Sequence, residues 1–169
     1  RNISLRPRSR RCGADKGTLM KNFVFISPNF PTNYWKFCHH LKANGLRVLG
    51  IGDQPYDDLL PELKDSLHEY YKVNSLENYD EVYRAMGYFI HKYGRIDWLE
   101  SNNEYWLERD AQLRTAFNIT SGFKEEDMEK VKRKSAMKAY YAKAGIPTAR
   151  YHLVSDFESA KKFANTVGY

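Results

Sequence analysis

Two stretches of the sequence carry residue types and spacings that could do chemistry. The first is Glu100-Ser101-Asn102-Asn103-Glu104, which sets two carboxylates and two amides side by side. Such a set could hold a polar substrate or brace a neighbouring domain. Equally, Asn102 or Asn103 could cap a helix beginning near Glu104, where acids are favoured by the helix dipole. The two roles are compatible, since a cap can also line a crevice. The second stretch runs from Lys124 to Lys143. Glu125, Glu126, Asp127 and Glu129 come early in it, and Lys130, Lys132, Arg133, Lys134, Lys138 and Lys143 come later. Acid-first, base-last order suits the helix macrodipole and accounts for most of these charges as a solvated face. A lysine is also a compact, movable cation suited to a phosphate oxygen. The charge pattern alone does not choose between these roles.

Other candidates are weaker. His39 and His40 are adjacent, whereas a metal pair on a helix needs a spacing that points both rings one way. Interaction with the end of the first helix explains them better. Cys12 and Cys38 lie far apart, which makes neither a disulfide framework nor a metal site and suits a reducing compartment. Trp98 and Trp106 read as core or subdomain-contact residues rather than a ligand cage.

Positioning these residues falls to an alternation of strand and helix. Phe23–Ser27 is a short apolar run closed by Pro28. Tyr34, Phe37, Cys38 and Leu41 recur at helical spacing, and Asn44-Gly45 ends that helix. Leu46–Ile51 is a second strand. Pro61 starts a short helix reaching Leu67, and Tyr70–Val73 is a third strand. Tyr79, Val82, Tyr83, Met86, Ile90 and Tyr93 mark a long helix that Gly94 ends. Ile96–Glu100 is a fourth strand, Glu104–Phe117 a helix, and Asn118–Thr120 a short fifth strand before Gly122. Alternation of this kind predicts an α/β fold: a Rossmann-like parallel sheet with helices on both faces.

Open sheets of this class bind ligands beyond the carboxyl ends of their strands. The loop after the first strand, Ser27-Pro28-Asn29-Phe30-Pro31, has no glycine and two prolines. It is a poor cradle for phosphate and argues against a dehydrogenase. Asp53, after the second strand, could take a ribose hydroxyl, but without a glycine loop a turn aspartate is the better reading.

Net charge is +6, but it is unevenly placed. Residues 1–19 carry Arg1, Arg6, Arg8, Arg10, Arg11 and Lys16 against Asp15, leaving only +1 on the other 150 residues. A near-neutral body gives little support to nucleic-acid binding through Arg6–Arg11, which would be steeply salt-dependent. The tail lacks the apolar stretch of a secretory signal and faintly resembles a transit peptide. Met20 directly precedes the first strand and is read as the natural start. The tail is then foreign or read-through sequence, with a genuine disordered basic arm as the rival. No apolar run is long enough to span a membrane, and the chain is expected in the cytoplasm.

The segment after the sheet domain is the most telling. Lys134 lies 11 residues before Gly145 in K-S-A-M-K-x-x-x-A-K-A-G-I-P; Thr148–Val154 then reads as a strand, and a helix opening at Asp156-Phe157-Glu158 leads to Val167-Gly168-Tyr169. This order resembles the entry to the ATP-grasp superfamily, with a preATP-grasp domain first and then a "GIP" turn into the ATP-grasp domain. The run Asp97–Glu104, followed by Leu107, Ala111, Leu113 and Gly122, is similar to the end of preATP-grasp domains in carboxylate–amine ligases and carbamoyl-phosphate-synthase-like proteins.

The resemblance covers Met20–Tyr169 and implies a division of the chain. Residues 1–19 are a tail, 20–122 a preATP-grasp domain, 123–145 a linker helix, and 146–169 the start of a truncated ATP-grasp domain. It implies that Lys134 contacts ATP, with Lys138 less suited, and that Glu100, Asn102, Asn103 and Glu104 shape the substrate side of the cleft. No catalytic or metal-ligating residue is assigned. The parent would use ATP and Mg²⁺ to activate a small carboxylate as an acyl phosphate for attack by an amine or related nucleophile. This piece would be inactive alone and would hold no cofactor tightly. Neither nucleic acid nor membrane is an expected partner, and a homo-oligomer stays open. The alternative is a non-catalytic α/β binding or regulatory module.

Overall fold

The computed structural model describes residues 20–168. The basic tail with Cys12, and Tyr169, lie outside that range. The strands are β1 (Asn22–Ile26), β2 (Arg47–Gly52), β3 (Glu69–Lys72) and β4 (Trp98–Glu100). They pair in parallel in the order β3-β2-β1-β4. Chain direction across the sheet therefore reverses between β1 and β4, which creates a topological switch point of the kind that opens a ligand crevice.

Successive β1 side chains face opposite ways, and every one is buried. Val24 and Ile26 join Leu49 and Ile51 of β2 on one face, under α3 (Tyr79–Tyr93), which contributes Val82, Ala85, Met86 and Phe89. Phe23 and Phe25 lie on the other face with Val48. They meet Cys38 of α1 (Trp35–Ala43) and Leu63 of α2 (Pro61–Ser66). Burial on both faces is the physical reason a parallel strand reads as a continuous apolar run. The Cys38 thiol sits in this apolar layer, and burial pushes its pKa up to about 12, so the buried sulfur stays an inert thiol. Trp98 and Trp106 are half-buried, Trp98 packing against the second cluster and Trp106 against the first.

Local stop signals act where the sequence puts them. At the end of α1, Gly45 has φ of 79°; its N–H donates to Lys42 O, and that of Leu46 donates to Leu41 O. This is the paired capping pattern of a left-handed helix end. Asn78 caps α3 by accepting from Glu81 N, and Gly94 ends that helix. Pro61 occupies the first turn of α2.

Four expectations need correction. The fourth strand starts at Trp98 rather than Ile96. The expected fifth strand at Asn118–Thr120 does not form. After α4 (Leu107–Ala116), Asn118 takes φ of 50°, and the Asn118 and Ile119 N–H groups cap the helix through Thr115 O and Arg114 O. The donors a ladder would need are thus spent on the helix end. The expected single linker helix is two, α5 (Met128–Lys132) and α6 (Lys134–Lys143), separated by an extended Arg133 at ψ of 107°. Met128 and a Lys132–Glu108 ion pair tie α5 to the body, while α6 buries no residue. Nothing therefore enforces one continuous rod. The expected strand Thr148–Val154 is irregular and exposed, because no described strand lies beside it to form a ladder. Side chains hold it instead: Lys138 Nζ donates to Ala149 O at 2.6 Å, and His152 stacks on Phe163 of α7 (Phe157–Val167).

The left-handed Asn118 yields a test of this account. Asn118→Gly should leave stability within a few tenths of a kcal/mol, whereas Asn118→Val should cost about 1–2 kcal/mol, read from urea midpoints. Equal effects of the two changes would refute a backbone origin.

Candidate functional site

The carboxyl ends of the four strands converge on one edge of the sheet. A crevice of about 480 Å³ opens there, lined by residues that follow each strand: Ser27 and Asn29 after β1, Asp53 after β2, Leu76 after β3, and Asn103 with Tyr105 after β4. Phe30 and Trp106 complete its walls. Two non-glycine residues at this edge sit in the left-handed region, Ser27 at φ of 55° and Asn102 at 53°. They exit adjacent strands on either side of the switch point. Backbone held this way costs roughly 1–3 kcal/mol and persists only where its surroundings fix it. Here Ser27 N–H donates to Ile51 O, and Tyr34 Oη donates to Asn102 O at 2.6 Å.

The sequence-predicted cluster divides on inspection. Glu100 turns to Arg114, with an ion pair at 2.8 Å. Burial raises its carboxyl above the ordinary range, and the guanidinium draws it part of the way back. Asn103 caps the turn Glu104–Trp106 through its side-chain oxygen, which accepts from Tyr105 N at 2.9 Å, and it also lines the crevice. The cap and crevice roles thus coincide in one residue. Asn102 contributes its strained backbone and its carbonyl. Glu104 faces a neighbouring groove of about 640 Å³, together with Arg109 and Lys132.

Two residues that sequence reasoning passed over, Arg114 and Asp110, organise this edge together with Gly122. Arg114 is 2% exposed. Its Nε and Nη2 donate to Leu99 O, Nη1 donates to Phe123 O, and Nη2 also meets Glu100. Gly122, at φ of 89°, packs so closely on the guanidinium that a Cβ would lie 2.9 Å from Nε. Beside it, Asp110 Oδ2 accepts from both Ser101 Oγ, at 2.6 Å, and Ser101 N, at 3.1 Å. Asp110 Oδ1 has no partner among the described residues. Burial pushes the Asp110 pKa up to about 7, against the opposing pull of the Ser101 hydrogen bonds and Arg114. The signal for both residues was available in the sequence: Asp110 and Arg114 flank Ala111 and Leu113 on the apolar side of α4.

The lysines also separate. Lys134 occupies the first turn of α6, exposed, and forms no hydrogen bond or ion pair with the described residues. Lys138 is engaged by Ala149 O and lies over the Tyr151 ring. Lys132, rather than Lys134, lines the groove beside Glu104. Among the described residues, no three or more His, Cys, Asp or Glu side chains gather as a metal site, and no helix is long and apolar enough to cross a membrane.

No protein-family model and no curated protein sequence matches the chain. Solved structures match it in fold. An L-amino acid ligase from Bacillus licheniformis aligns over 78% of this chain and 32% of its own, at 18% identity and a TM-score of 0.58. The biotin carboxylase domain of Hydrogenobacter thermophilus 2-oxoglutarate carboxylase, a dimer solved with MgADP, ADP and bicarbonate, aligns over 89% and 34%, at 19% identity and a TM-score of 0.65. The biotin carboxylase subunit of a pyruvate carboxylase aligns over 89% and 34%, with a TM-score of 0.56. The chain therefore spans about a third of the length of these enzymes and shares the fold of that third. At 18–19% identity the likeness is one of fold, and it agrees with the α/β class read in the sequence.

Asp110 makes the network sensitive to pH. Its folded pKa lies above the unfolded value of about 3.9, so the native state holds the proton more tightly. The resulting stabilisation is fully present below about pH 4 and is lost as pH rises through about 7. Melting temperatures should fall across that window. Asp110→Asn, which keeps an acceptor for Ser101, should flatten the fall, and the shift of Glu100 in the same direction should leave a residual slope. An unchanged slope would show that Asp110 is not its source.

Proposed function

We propose that this chain is the N-terminal part of an ATP-dependent ligase or carboxylase of the ATP-grasp type. The observation that carries the reading is the fold likeness, which extends over 89% of the chain to a domain solved with MgADP and bicarbonate. The chain's share of that domain, about a third, accords with a piece whose remaining active-site parts lie elsewhere.

In this reading the parent transfers the γ-phosphoryl group of ATP to a carboxylate oxygen of a small substrate, releasing ADP. An amine or related nucleophile then attacks the acyl carbon, and phosphate leaves. Such chemistry rests on positioning and charge neutralisation, so the contribution expected of this chain is electrostatic and architectural. Lys134 supplies a cation to a phosphate oxygen. Its exposed ammonium, unpaired among the described residues, supports that role over Lys138, whose charge is already engaged. Magnesium would shield phosphate charge in the parent; with no cluster of ligands among the described residues, its carboxylates would come from outside them. Asn102, Asn103 and Glu104 would form part of the wall on the acceptor side, with Glu100 acting through Arg114 to hold that wall in place. Alone, the chain would not turn over.

The test belongs in the full natural polypeptide that carries this region. Lys134→Ala should weaken ATP binding about tenfold or more, as expected for a lost charge-assisted contact to phosphate, measured by calorimetry. Unchanged affinity removes Lys134 from the site. A loss seen in Lys132→Ala instead would assign the cation to the lysine paired with Glu108.

A further inference from the structure

The crevice over the strand ends has a chemical character that the nucleotide reading does not use. Asp53 is the only charged residue among those that line it. The Asp53 carboxylate is exposed and accepts no hydrogen bond or ion pair from the described residues. Ser27 Oγ spends its proton on Phe30 O, at 3.3 Å, and so offers lone pairs. Asn29 Oδ1 is buried and has no partner among the described residues. The polar part of the lining thus presents one exposed carboxylate and carries negative charge. Much of the remaining lining is aromatic and aliphatic. Tyr105 and Trp106 meet edge to face, with ring centroids 4.7 Å apart at 88°, which forms a two-walled corner. Phe30 and Tyr105 are each 66% exposed, and Leu76 closes the apolar wall.

A carboxylate beside a corner of aromatic faces suits an organic cation. The ring quadrupoles attract an ammonium group, the carboxylate fixes its charge, and the aromatic surfaces shelter an apolar body. An anion would meet Asp53 with no compensating cation. The volume, about 480 Å³, lies within the range of small-molecule sites. The edge is also held rigid: Tyr34 secures the left-handed Asn102, and Asn103 caps the turn that carries Tyr105 and Trp106. Tyr105 is further fixed by donating its hydroxyl to Glu77.

We infer that the crevice lined by Asp53, Asn29, Phe30, Tyr105 and Trp106 is a binding site for a small primary ammonium compound with an aromatic or aliphatic body. The inference does not rest on the ligase reading. Binding of ATP and of an amine are separate titrations, so either can fail while the other holds.

The probes are phenethylammonium and, as its charge-reversed counterpart, 3-phenylpropanoate. The intact chain is titrated with each and followed by Trp fluorescence and by chemical shifts of the residues around the crevice. Phenethylammonium should bind saturably, and 3-phenylpropanoate at least about tenfold more weakly. Asp53→Asn preserves shape and should reduce ammonium affinity about tenfold or more, while Phe30→Ala, at an exposed wall position, should reduce it about threefold or more. Circular dichroism on both variants separates lost binding from lost folding. Equal binding of anion and cation, unchanged affinity in a folded Asp53→Asn variant, or no saturable binding of phenethylammonium would each overturn the site.

Discussion

One buried guanidinium holds the exit edge of the sheet together. Arg114 reaches from α4 to the carbonyl of Leu99 in β4, to the Glu100 carboxylate at the strand's last residue, and to the carbonyl of Phe123 beyond the Gly122 turn. Removing a charge from water is costly unless each donor finds a partner. Here that constraint becomes an organising force, since the strand end, the helix and the outgoing loop must all be in place to satisfy one side chain. Lysine could not substitute, because a point charge lacks the planar fork that addresses several acceptors at once. Gly122 follows from the same demand: any Cβ would collide with the guanidinium.

From that anchor the rest of the edge is positioned in sequence. Asp110 lies one turn before Arg114 on α4 and seizes both the Oγ and the N–H of Ser101, directly after β4. The chain is then committed to the left-handed Asn102 and the capping Asn103. The turn that follows sets Tyr105 and Trp106 perpendicular to one another beside Asp53 and the β1 loop. A buried network below thus specifies an exposed arrangement above. This is the usual economy of α/β folds: rigid strands present their ends, and short loops carry the variable chemistry.

The polar residues of the Glu100–Glu104 stretch do not act as one surface. Glu100 is turned inward as the counter-charge of Arg114, Asn103 is shared between a cap and the crevice, and Glu104 faces a second groove. The lysine-bearing segment is likewise split by the extended Arg133 into a half tied to the body and a half that buries nothing. Neither division shows in residue type or spacing. Whether a carboxylate faces ligand or guanidinium depends on what lies across from it, and that partner stands 14 residues further along the chain.

What the sequence determined by itself was local. The apolar runs of β1 and β2, the period of α3, Pro61 opening α2, and the stops at Gly45 and Gly94 all stand where composition and spacing put them, because each depends on backbone propensity and burial within one segment. The α/β class followed from their alternation. Tertiary structure decided the strand order, the loss of the expected strands at Asn118–Thr120 and Thr148–Val154, and the partners that Asp110 and Arg114 take. The physical reason is the same in each case. A strand exists only beside a partner that accepts its hydrogen bonds, and a charged group has a function only relative to what surrounds it. Both depend on residues distant in sequence that folding alone brings together.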